Sequence, residues 1–322
     1  MLNKDVQAIL SDENKKAATR TAYGEKIAEL GEINKDIVVL DCDLSKSTMT
    51  SVFAKKFPER FFDMGIAEAN MMSVAAGLAT TGKIPFASTF AVFATKRVAD
   101  QISSSIAYPG LNVKICATHA GLSVGEDGAT HQAIEDVAIM RAIPGIIVLS
   151  PCDGTETGKV IEYAASHHGP YYIRLTRSNI PVIFNESYKF ELGKGIKIME
   201  GPKATLIATG FMTHIALQAA KELNDEGIEV DFINMPSIKP LDDELVLESA
   251  GKTGLVVTVE DHNIIGGLGS AVCELLSEKM PVKVIRMGVM DKFGASGEPM
   301  ELIKAYGFDK ESIKNKVKSL VK

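Results

Sequence analysis

Short apolar runs alternate along the chain with longer stretches of helical periodicity. Runs that are apolar throughout indicate strands covered on both faces of a parallel sheet. In the first part of the chain they predict strands over residues 37–40, 85–88, 113–117, 146–150 and 171–175. The stretches between them predict helices over residues 67–80, 92–107 and 155–167. This alternation is typical of βαβ units.

The alternation stops between residues 178 and 202, where Pro, Asn and Gly predict a linker with one short strand. It then resumes, with predicted strands over residues 205–208, 230–233, 255–259 and 282–287. The predicted helices are residues 213–225, 242–251, 267–278 and a basic amphipathic helix over 309–321. We therefore predict an α/β protein of two domains, residues 1–186 and 187–322. Each is a mainly parallel sheet flanked by helices.

Composition narrows the class of protein. Of the 322 residues, 46% are hydrophobic and 24% charged, which is typical of a soluble globular protein. The net charge of −6 argues against non-specific binding to nucleic acid or anionic membranes. The N-terminus lacks the apolar core of a signal peptide, and no run approaches the roughly 18 apolar residues of a membrane span. Four cysteines without a CxxC pair indicate reduced thiols in a cytoplasmic protein.

Polar residues cluster after the predicted strands of the first domain, and ligands of open α/β sheets bind at that edge. Glu68 begins a helix of otherwise small and apolar residues. The helix dipole favours a carboxylate there, but a desolvated carboxyl group would also be suited to proton transfer. The glycines of loop 119–131 allow its backbone to approach a ligand closely. A metal site is disfavoured, because His119 and His131 are too far apart for a helix pair and lack a third ligand.

Four segments in order resemble the pyrimidine-binding domain of the transketolase family. They are Asp63-Met-Gly-Ile-Ala-Glu68-Ala-Asn-Met, Ser88-Thr-Phe-Ala-Val-Phe93, Gly125-Glu-Asp-Gly-Ala-Thr-His-Gln132 and Arg174-Leu-Thr-Arg177-Ser-Asn-Ile-Pro181. The region after residue 190 is similar to the C-terminal domain of that family. The resemblance covers nearly the whole chain and implies the C-terminal half of a split transketolase.

The resemblance implies residues for binding thiamine diphosphate. Glu68 corresponds to the catalytic glutamate that hydrogen-bonds the N1′ atom of the aminopyrimidine. Phe90 and Phe93 correspond to aromatic residues packed against that ring, and Asp43 to an aspartate near the thiazolium. A third aromatic residue is expected at position 96, where this chain has Lys96.

The same resemblance implies a site for a sugar phosphate. Asp127 and His131 align with residues that contact the hydroxyl groups near C1 and C2 of the ketose, and His131 is counted as catalytic. Four further residues align with the phosphate-binding cluster, namely His119, Arg177, Arg20 and Ser47. Guanidinium groups, a hydroxyl and a histidine bind phosphate well through charge-assisted hydrogen bonds.

The family binds the diphosphate and a divalent ion through a separate domain with a Gly-Asp-Gly motif, whose oxygen ligands suit Mg²⁺. Here Cys152-Asp153-Gly154, with Asn179 downstream, lacks the first glycine and matches a pyrimidine-domain sequence, so we reject it as a diphosphate site. The resemblance implies a partner, a transketolase N-terminal subunit that holds Mg²⁺ or another divalent ion in an α2β2 assembly. A start at Met1 with a short helix before residue 18 favours a split gene over a truncated chain.

Three other functions are left open. The β subunit of a 2-oxoacid dehydrogenase E1 component shares the sequence Gly-Ile-Ala-Glu-Ala-Asn-Met, and a 1-deoxyxylulose-5-phosphate-synthase-like enzyme shares a similar loop. Arg177 and the segment Asp43-Leu-Ser-Lys-Ser47 favour transketolase. A non-catalytic assembly module is the third alternative, disfavoured because Glu68 is retained.

In the second domain, Gly266-Gly-Leu-Gly269 could bind an anion or allow close packing of a helix on a strand.

Overall fold

A computed structural model describes Val6 and residues 15–321 of the chain. The short helix predicted before residue 18 falls largely outside these residues. At the start of the continuous part, Lys16–Ala17 form a strand that pairs antiparallel with Ile180–Pro181. The predicted linker thus contains this short strand as well as the longer strand Ile196–Met199.

The first sheet has seven strands among the described residues. In spatial order they are Ser237–Lys239, Ile147–Leu149, Tyr171–Arg174, Lys114–Thr118, Ile84–Phe90, Ile37–Asp41 and Phe61–Asp63. All neighbours are parallel except the first pair. Its helical segments are Thr19–Ile33, Ser45–Thr48, Ser51–Lys56, Pro58–Arg60, Glu68–Thr80, Ala91–Lys96, Gln101–Ala107, Leu122–Val124, Asp136–Ala142 and Gly154–Ser166. Buried apolar clusters lie on both faces of the sheet, as its continuously apolar strands predict.

The second sheet has five strands in the described part of the chain. In spatial order they are Lys283–Val289, Leu255–Asn263, Thr205–Ala208, Asp231–Asn234 and Ile196–Met199. Only the last of these is antiparallel to its neighbour. The helices of this region are Met212–Asp225, Asp243–Thr253, Leu268–Lys279, Pro299–Ala305 and Lys310–Lys318. The predicted fold class, two mainly parallel sheets flanked by helices, is confirmed.

Ser237–Lys239 is a strand that we did not predict. It lies in the second predicted domain but belongs to the first sheet. It follows the second-domain strand Asp231–Asn234 in sequence, but it pairs antiparallel with Ile147–Leu149 of the first sheet. The two predicted domains are therefore joined by backbone hydrogen bonds as well as by the chain itself. The boundary near residue 187 stays a prediction.

The single helix predicted over residues 92–107 was wrong in part. An α-helix, Ala91–Lys96, is followed after a break by a π-helix, Gln101–Ala107. The π-helix contains three consecutive serines at residues 103–105. Serine stabilises an α-helix less than alanine or leucine does. Such π-helical segments occur frequently at functional sites. Arg97 lies at the break.

No helix in the described part of the chain combines the length and apolar character that a membrane span requires.

A single apolar cluster extends across the two predicted domains. Leu122 and Ile134 of the first domain pack in the same cluster as Phe211, Met212 and Val257 of the second. The domains therefore share part of their hydrophobic core.

A buried ion pair lies beside this shared core. Arg174 Nε donates to Asp136 Oδ2 at 2.8 Å, and Arg174 Nη2 donates to the backbone oxygen of Asp261 at 2.8 Å. Tyr172 donates its hydroxyl proton to the same Asp136 oxygen at 2.7 Å. Burial alone would raise the pKa of Asp136, but Arg174 and His262 hold it below its ordinary value. Arg174, one of the residues quoted for the family resemblance, thus serves the domain interface.

We expect Asp136→Ala to reduce the free energy of unfolding by about 3–5 kcal/mol, because it leaves the buried Arg174 guanidinium without its counter-ion. Chemical denaturation followed by circular dichroism measures this change. Asp225→Ala, at an exposed position, is the control and should change the free energy of unfolding by less than about 0.5 kcal/mol. A loss below about 1 kcal/mol for Asp136→Ala would show that the pair does not stabilise the interface.

Candidate active site

The predicted site residues gather at one edge of the first sheet. Four strands, Ile37–Asp41, Ile84–Phe90, Lys114–Thr118 and Tyr171–Arg174, are mutually parallel, so their carboxyl ends meet at that edge. The segments that follow these strands carry most of the predicted residues. This is the edge at which open α/β sheets bind ligands.

Glu68 is a buried carboxylate with one charged partner. It begins the helix Glu68–Thr80 and is only 5% exposed. Arg97 Nη1 donates to Glu68 Oε1 at 2.9 Å. The guanidinium carbon of Arg97 lies 4.0 Å from the centroid of the Phe93 ring, within the range of a cation–π contact. Arg97 therefore links the predicted catalytic carboxylate to a predicted cofactor-binding ring.

Arg97 was missed by the sequence analysis, although a signal was available. It follows Phe93 by four residues, which places the two side chains on the same face of one helical turn. Lys96, at the position where an aromatic residue was expected, forms an ion pair with Glu135 instead. The group that covers Phe93 is thus the planar guanidinium of Arg97, the residue after Lys96.

Four aromatic rings from three segments form a cluster that Arg97 links to Glu68. The Phe90 and Phe93 centroids are 5.9 Å apart, with an interplanar angle of 16°. The His119 ring stacks on Phe90 at 3.8 Å, and the His131 ring meets Phe93 edge-on at 5.6 Å. Residues predicted to bind cofactor and substrate therefore lie in contact. Their individual roles stay predictions.

Arg20, Ser47 and His119, which we predicted to bind an anion, lie close together. Arg20 Nη1 donates to the backbone oxygen of Ser47 at 2.7 Å and lies 3.5 Å from His119 Nε2. The structure thus brings in the carbonyl group of Ser47, whereas the prediction invoked its hydroxyl. Arg20 Nε is buried and has no hydrogen-bond partner in the part of the chain that the structure describes. Buried polar groups are normally hydrogen-bonded, so this donor lacks the acceptor that a bound anion would supply.

His119 is held in its neutral form. Burial, together with the charges of Arg20 and Arg177, lowers its pKa to about 3. Its Nδ1 atom lies 2.9 Å from the hydroxyl oxygen of Thr118. His119 can therefore hydrogen-bond an anionic group without adding a positive charge at neutral pH.

Arg177 is partly exposed and shared among several acceptors. Its Nη1 atom donates to the backbone oxygen of Val124 at 2.9 Å and to Glu126 Oε2 at 3.3 Å. Asp127 Oδ2 lies 3.7 Å from the same nitrogen. Two predicted substrate-binding residues, Arg177 and Asp127, are thus paired with each other.

Asp41, which the sequence analysis did not single out, organises the loop that carries Asp43 and Ser47. Its side chain accepts hydrogen bonds from the Leu44 amide at 2.7 Å and from the hydroxyl groups of Thr48 and Thr50 at 2.6 and 2.9 Å. Burial raises the pKa of Asp41 to about 6. Asp43 itself is exposed, and its amide donates to Asp63 Oδ1 at 2.9 Å.

Asp153, which we rejected as a diphosphate ligand, binds backbone amides of its own chain. This carboxylate is fully buried and caps the helix Gly154–Ser166 by accepting from the Glu156 amide at 2.7 Å. Its second oxygen accepts from the amides of Ile183 and Phe184 at 2.6 and 2.8 Å. Both oxygens therefore already serve the backbone of this chain.

The glycine cluster at residues 266–269 packs against a carboxylate of the same chain. Glu260 accepts hydrogen bonds from the amides of Leu268 and Gly269 at 2.7 and 2.8 Å, at the start of the helix Leu268–Lys279. A Cβ atom at Gly267 would lie 2.0 Å from Glu260 Oε2. Of the two readings of this cluster, close packing is therefore the one that the geometry supports.

Comparison with known protein families matches residues 15–182 to the transketolase pyrimidine-binding domain and residues 193–313 to the transketolase C-terminal domain. A protein of Methanocaldococcus jannaschii named as a transketolase C-terminal section is 50% identical over 301 residues, covering 92% of this chain and 94% of that protein. A 6-deoxy-6-sulfo-D-fructose transketolase subunit of Clostridium sp. strain MSTE9 is 44% identical over 294 residues, covering 91% of each chain.

Longer relatives and a solved structure extend the comparison. Human transketolase is 39% identical over 310 residues, and the matched region spans only 49% of its length. A solved structure described as a split-gene transketolase in an inactive β4 tetramer has a TM-score of 0.88 and 54% identity, covering 94% of this chain and 97% of that one. The chain therefore belongs to the transketolase family, in which it corresponds to the pyrimidine-binding and C-terminal domains.

Proposed function

We propose that the chain is the C-terminal subunit of a two-chain transketolase. The assembled enzyme would transfer a two-carbon ketol unit from a ketose phosphate to an aldose phosphate with thiamine diphosphate. One observation carries this proposal, namely that the Phe90–Phe93 pair, which Arg97 links to Glu68, meets the Arg20–His119 cluster at one sheet edge. A cofactor site and an anion site in contact are what transfer between sugar phosphates requires.

The residues present fit the pyrimidine half of the cofactor. Glu68 is buried, which suits a carboxyl group that exchanges a proton with a ring nitrogen, and Arg97 links it to the nearly parallel rings of Phe90 and Phe93. When bound, thiamine diphosphate would supply the electron sink for the two-carbon fragment. Glu68 would hold and exchange a proton at the N1′ atom of the pyrimidine. Phe90 and Phe93 would cover the ring and exclude water.

On the substrate side, His131 and Asp127 would orient the hydroxyl groups near C1 and C2 of the ketose. Arg20 and Arg177 would bind the anionic head group, and neutral His119 would add a hydrogen bond. Because Arg177 is shared with Glu126, binding of the anion should separate this ion pair. The similarity to a subunit that acts on a sulfonated fructose makes a sulfonate head group a second candidate for the same cluster.

We assign the diphosphate and a divalent ion such as Mg²⁺ to a partner N-terminal subunit with a Gly-Asp-Gly motif, in an α2β2 assembly. Two observations support this. The Asp153 carboxylate is fully engaged by backbone amides. Ile66 and Phe62, beside Glu68 in sequence, leave 77% and 39% of their surface exposed, and large exposed apolar side chains mark interaction surfaces.

We further propose that the enzyme works in the cytoplasm, in pentose phosphate metabolism. All four cysteines are free thiols, as expected in a reducing compartment. Neither the compartment nor the pathway bears on the chemistry of the site, which can be tested on purified protein.

The test of the function uses the chain with and without the N-terminal subunit from the same source. We expect xylulose 5-phosphate to be cleaved in the presence of ribose 5-phosphate only when both chains and Mg²⁺ are present. Arms with 6-deoxy-6-sulfofructose, with pyruvate alone, and with pyruvate plus glyceraldehyde 3-phosphate separate the sulfonate, E1-like and deoxyxylulose-phosphate-synthase-like alternatives.

Three results would contradict the proposal. Turnover of pyruvate in preference to both ketoses would favour one of the other enzyme classes, and no turnover in any arm would favour a non-catalytic assembly module. Tight binding of thiamine diphosphate and Mg²⁺ by the isolated chain would remove the need for a partner.

A further inference from the structure

A carboxylate of the second domain reaches into loop 119–131 of the first. Asp261 lies on the strand Leu255–Asn263 and is only 2% exposed. Its Oδ1 atom accepts a hydrogen bond from the Leu122 amide at 2.8 Å, and its Oδ2 atom accepts one from the Ser123 amide at 3.1 Å. Each carboxylate oxygen therefore holds one backbone group of the loop that carries His119, Asp127 and His131.

The loop backbone is shaped to accept this carboxylate. Gly121 has a φ of +80°, a conformation that glycine adopts without strain. A Cβ atom at this position would lie 2.1 Å from Asp261 Oδ2 and 2.7 Å from the Asp261 backbone oxygen. The contact thus requires both a glycine at position 121 and a short acidic side chain opposite it.

Asp261 is itself fixed in place. Its backbone oxygen accepts from Arg174 Nη2 at 2.8 Å, and Arg174 is held in turn by Asp136. A chain of buried hydrogen bonds therefore runs from the domain interface to the Leu122 and Ser123 amides. Arg174 also places a positive charge near a carboxylate that burial would otherwise destabilise.

A second set of contacts holds the far end of the same loop. Ser296 Oγ donates to the backbone oxygen of Glu126 at 2.6 Å, and Gln132 Nε2 donates to the backbone oxygen of Ala295 at 2.9 Å. Asp127 lies between Glu126 and Gln132 in sequence. Asp261 holds the start of the loop, at the amides of Leu122 and Ser123. The second domain therefore supports the substrate loop on both sides of its charged residues.

We propose that Asp261 is a positioning residue for substrate binding, and that this is a function of the C-terminal domain. The effect on substrate binding rests on the proposed function, but the role of Asp261 in holding loop 119–131 does not. Without the carboxylate, two buried amides lose their acceptor, and the loop should leave the position in which His119 and Asp127 meet the arginines. Glu68, Phe90 and Phe93 lie outside the loop and Arg97 contacts Glu68, so proton transfer at the cofactor should be spared even where the rings lose their contacts with His119 and His131.

The test compares Asp261→Asn with wild type, each assembled with the N-terminal subunit. Asparagine keeps the side-chain size but turns an N–H group toward one of the two amides. We expect the KM for the ketose phosphate to rise at least about tenfold, while exchange of the C2 proton of thiamine diphosphate stays within about twofold. Hydrogen–deuterium exchange over residues 119–131 should become faster. Asp291→Asn, an exposed aspartate of the same domain, should change none of these quantities.

Each possible outcome bears on the proposal. Unchanged KM and unchanged amide protection in Asp261→Asn would overturn it. An equal loss of C2-proton exchange and donor affinity, with a lower melting temperature, would show a role in general stability only and would also overturn it. If wild type itself cleaves no ketose, the proposed function fails, and faster amide exchange in the variant would still establish that Asp261 holds the loop.

Discussion

Replacing Glu68 by glutamine should lower kcat of the assembled enzyme by about 100- to 10,000-fold, the range that a positioned general acid or base contributes. Glutamine preserves the shape of the side chain but cannot exchange the proton at the pyrimidine. The residue is buried and faces Arg97, and the helix that it begins has no second carboxylate that could replace it. Glu68→Ala should give a loss of similar size. Steady-state turnover of xylulose 5-phosphate measures the effect.

The effect of Glu68→Gln should come from lost proton exchange at the cofactor, so exchange of the C2 proton of thiamine diphosphate should slow in parallel with turnover. Glu59→Gln, which changes a glutamate that leaves 68% of its side chain exposed, is the matched control and should retain full activity. The melting temperature of both variants should stay close to that of wild type. Near-normal turnover in a folded Glu68→Gln enzyme would remove Glu68 from the mechanism.

Arg177→Ala should raise the KM for a phosphorylated ketose by about 10- to 150-fold, the equivalent of one hydrogen bond between charged groups. Burial, together with the charge of the nearby Arg177 guanidinium, lowers the pKa of Arg20, and the charges of both arginines also act on His119. A donor lacking the phosphate should lose little affinity, because it never forms this contact. Comparing the two donors therefore isolates the contribution of the head group.

Lys46→Ala is the control for long-range electrostatics in the Arg177 experiment. Lys46 is exposed and adjacent to Ser47, so its removal changes the local charge without removing a predicted contact. Its effect on KM should be small and should vanish at high salt. Equal losses for the phosphorylated and unphosphorylated donors in Arg177→Ala would contradict the phosphate assignment.

The long apolar strands could be predicted from the sequence because burial on both faces leaves little choice of residue. Thr205–Ala208 begins and ends where predicted, and Ile37–Asp41 and Tyr171–Arg174 differ by a single residue. Phe61–Asp63 and Ser237–Lys239 were missed. These strands have three residues each, so their conformation depends on a partner strand that is distant in sequence. The pattern of apolar and polar residues within such a short segment does not reveal that partner.

The site shows the same division between local and tertiary information. The loop that carries His119 could be located because polar residues follow a predicted strand, and Glu68 because it begins a predicted helix of otherwise small and apolar residues. Arg97 and Asp261 could not be identified in the same way, since their importance depends on which groups the fold places opposite them. Asp261 in particular lies within a strand of the second domain, far in sequence from the loop it holds.

The strand Ser237–Lys239 has a consequence for how the chain can be divided. A polypeptide that ended near residue 187 would leave the edge strand Ile147–Leu149 with unpaired N–H and C=O groups, and such edges promote aggregation. It would also expose the first-domain residues of the shared apolar cluster. The two halves should therefore be produced as one polypeptide, and proteolytic nicking of the linker should leave both fragments associated.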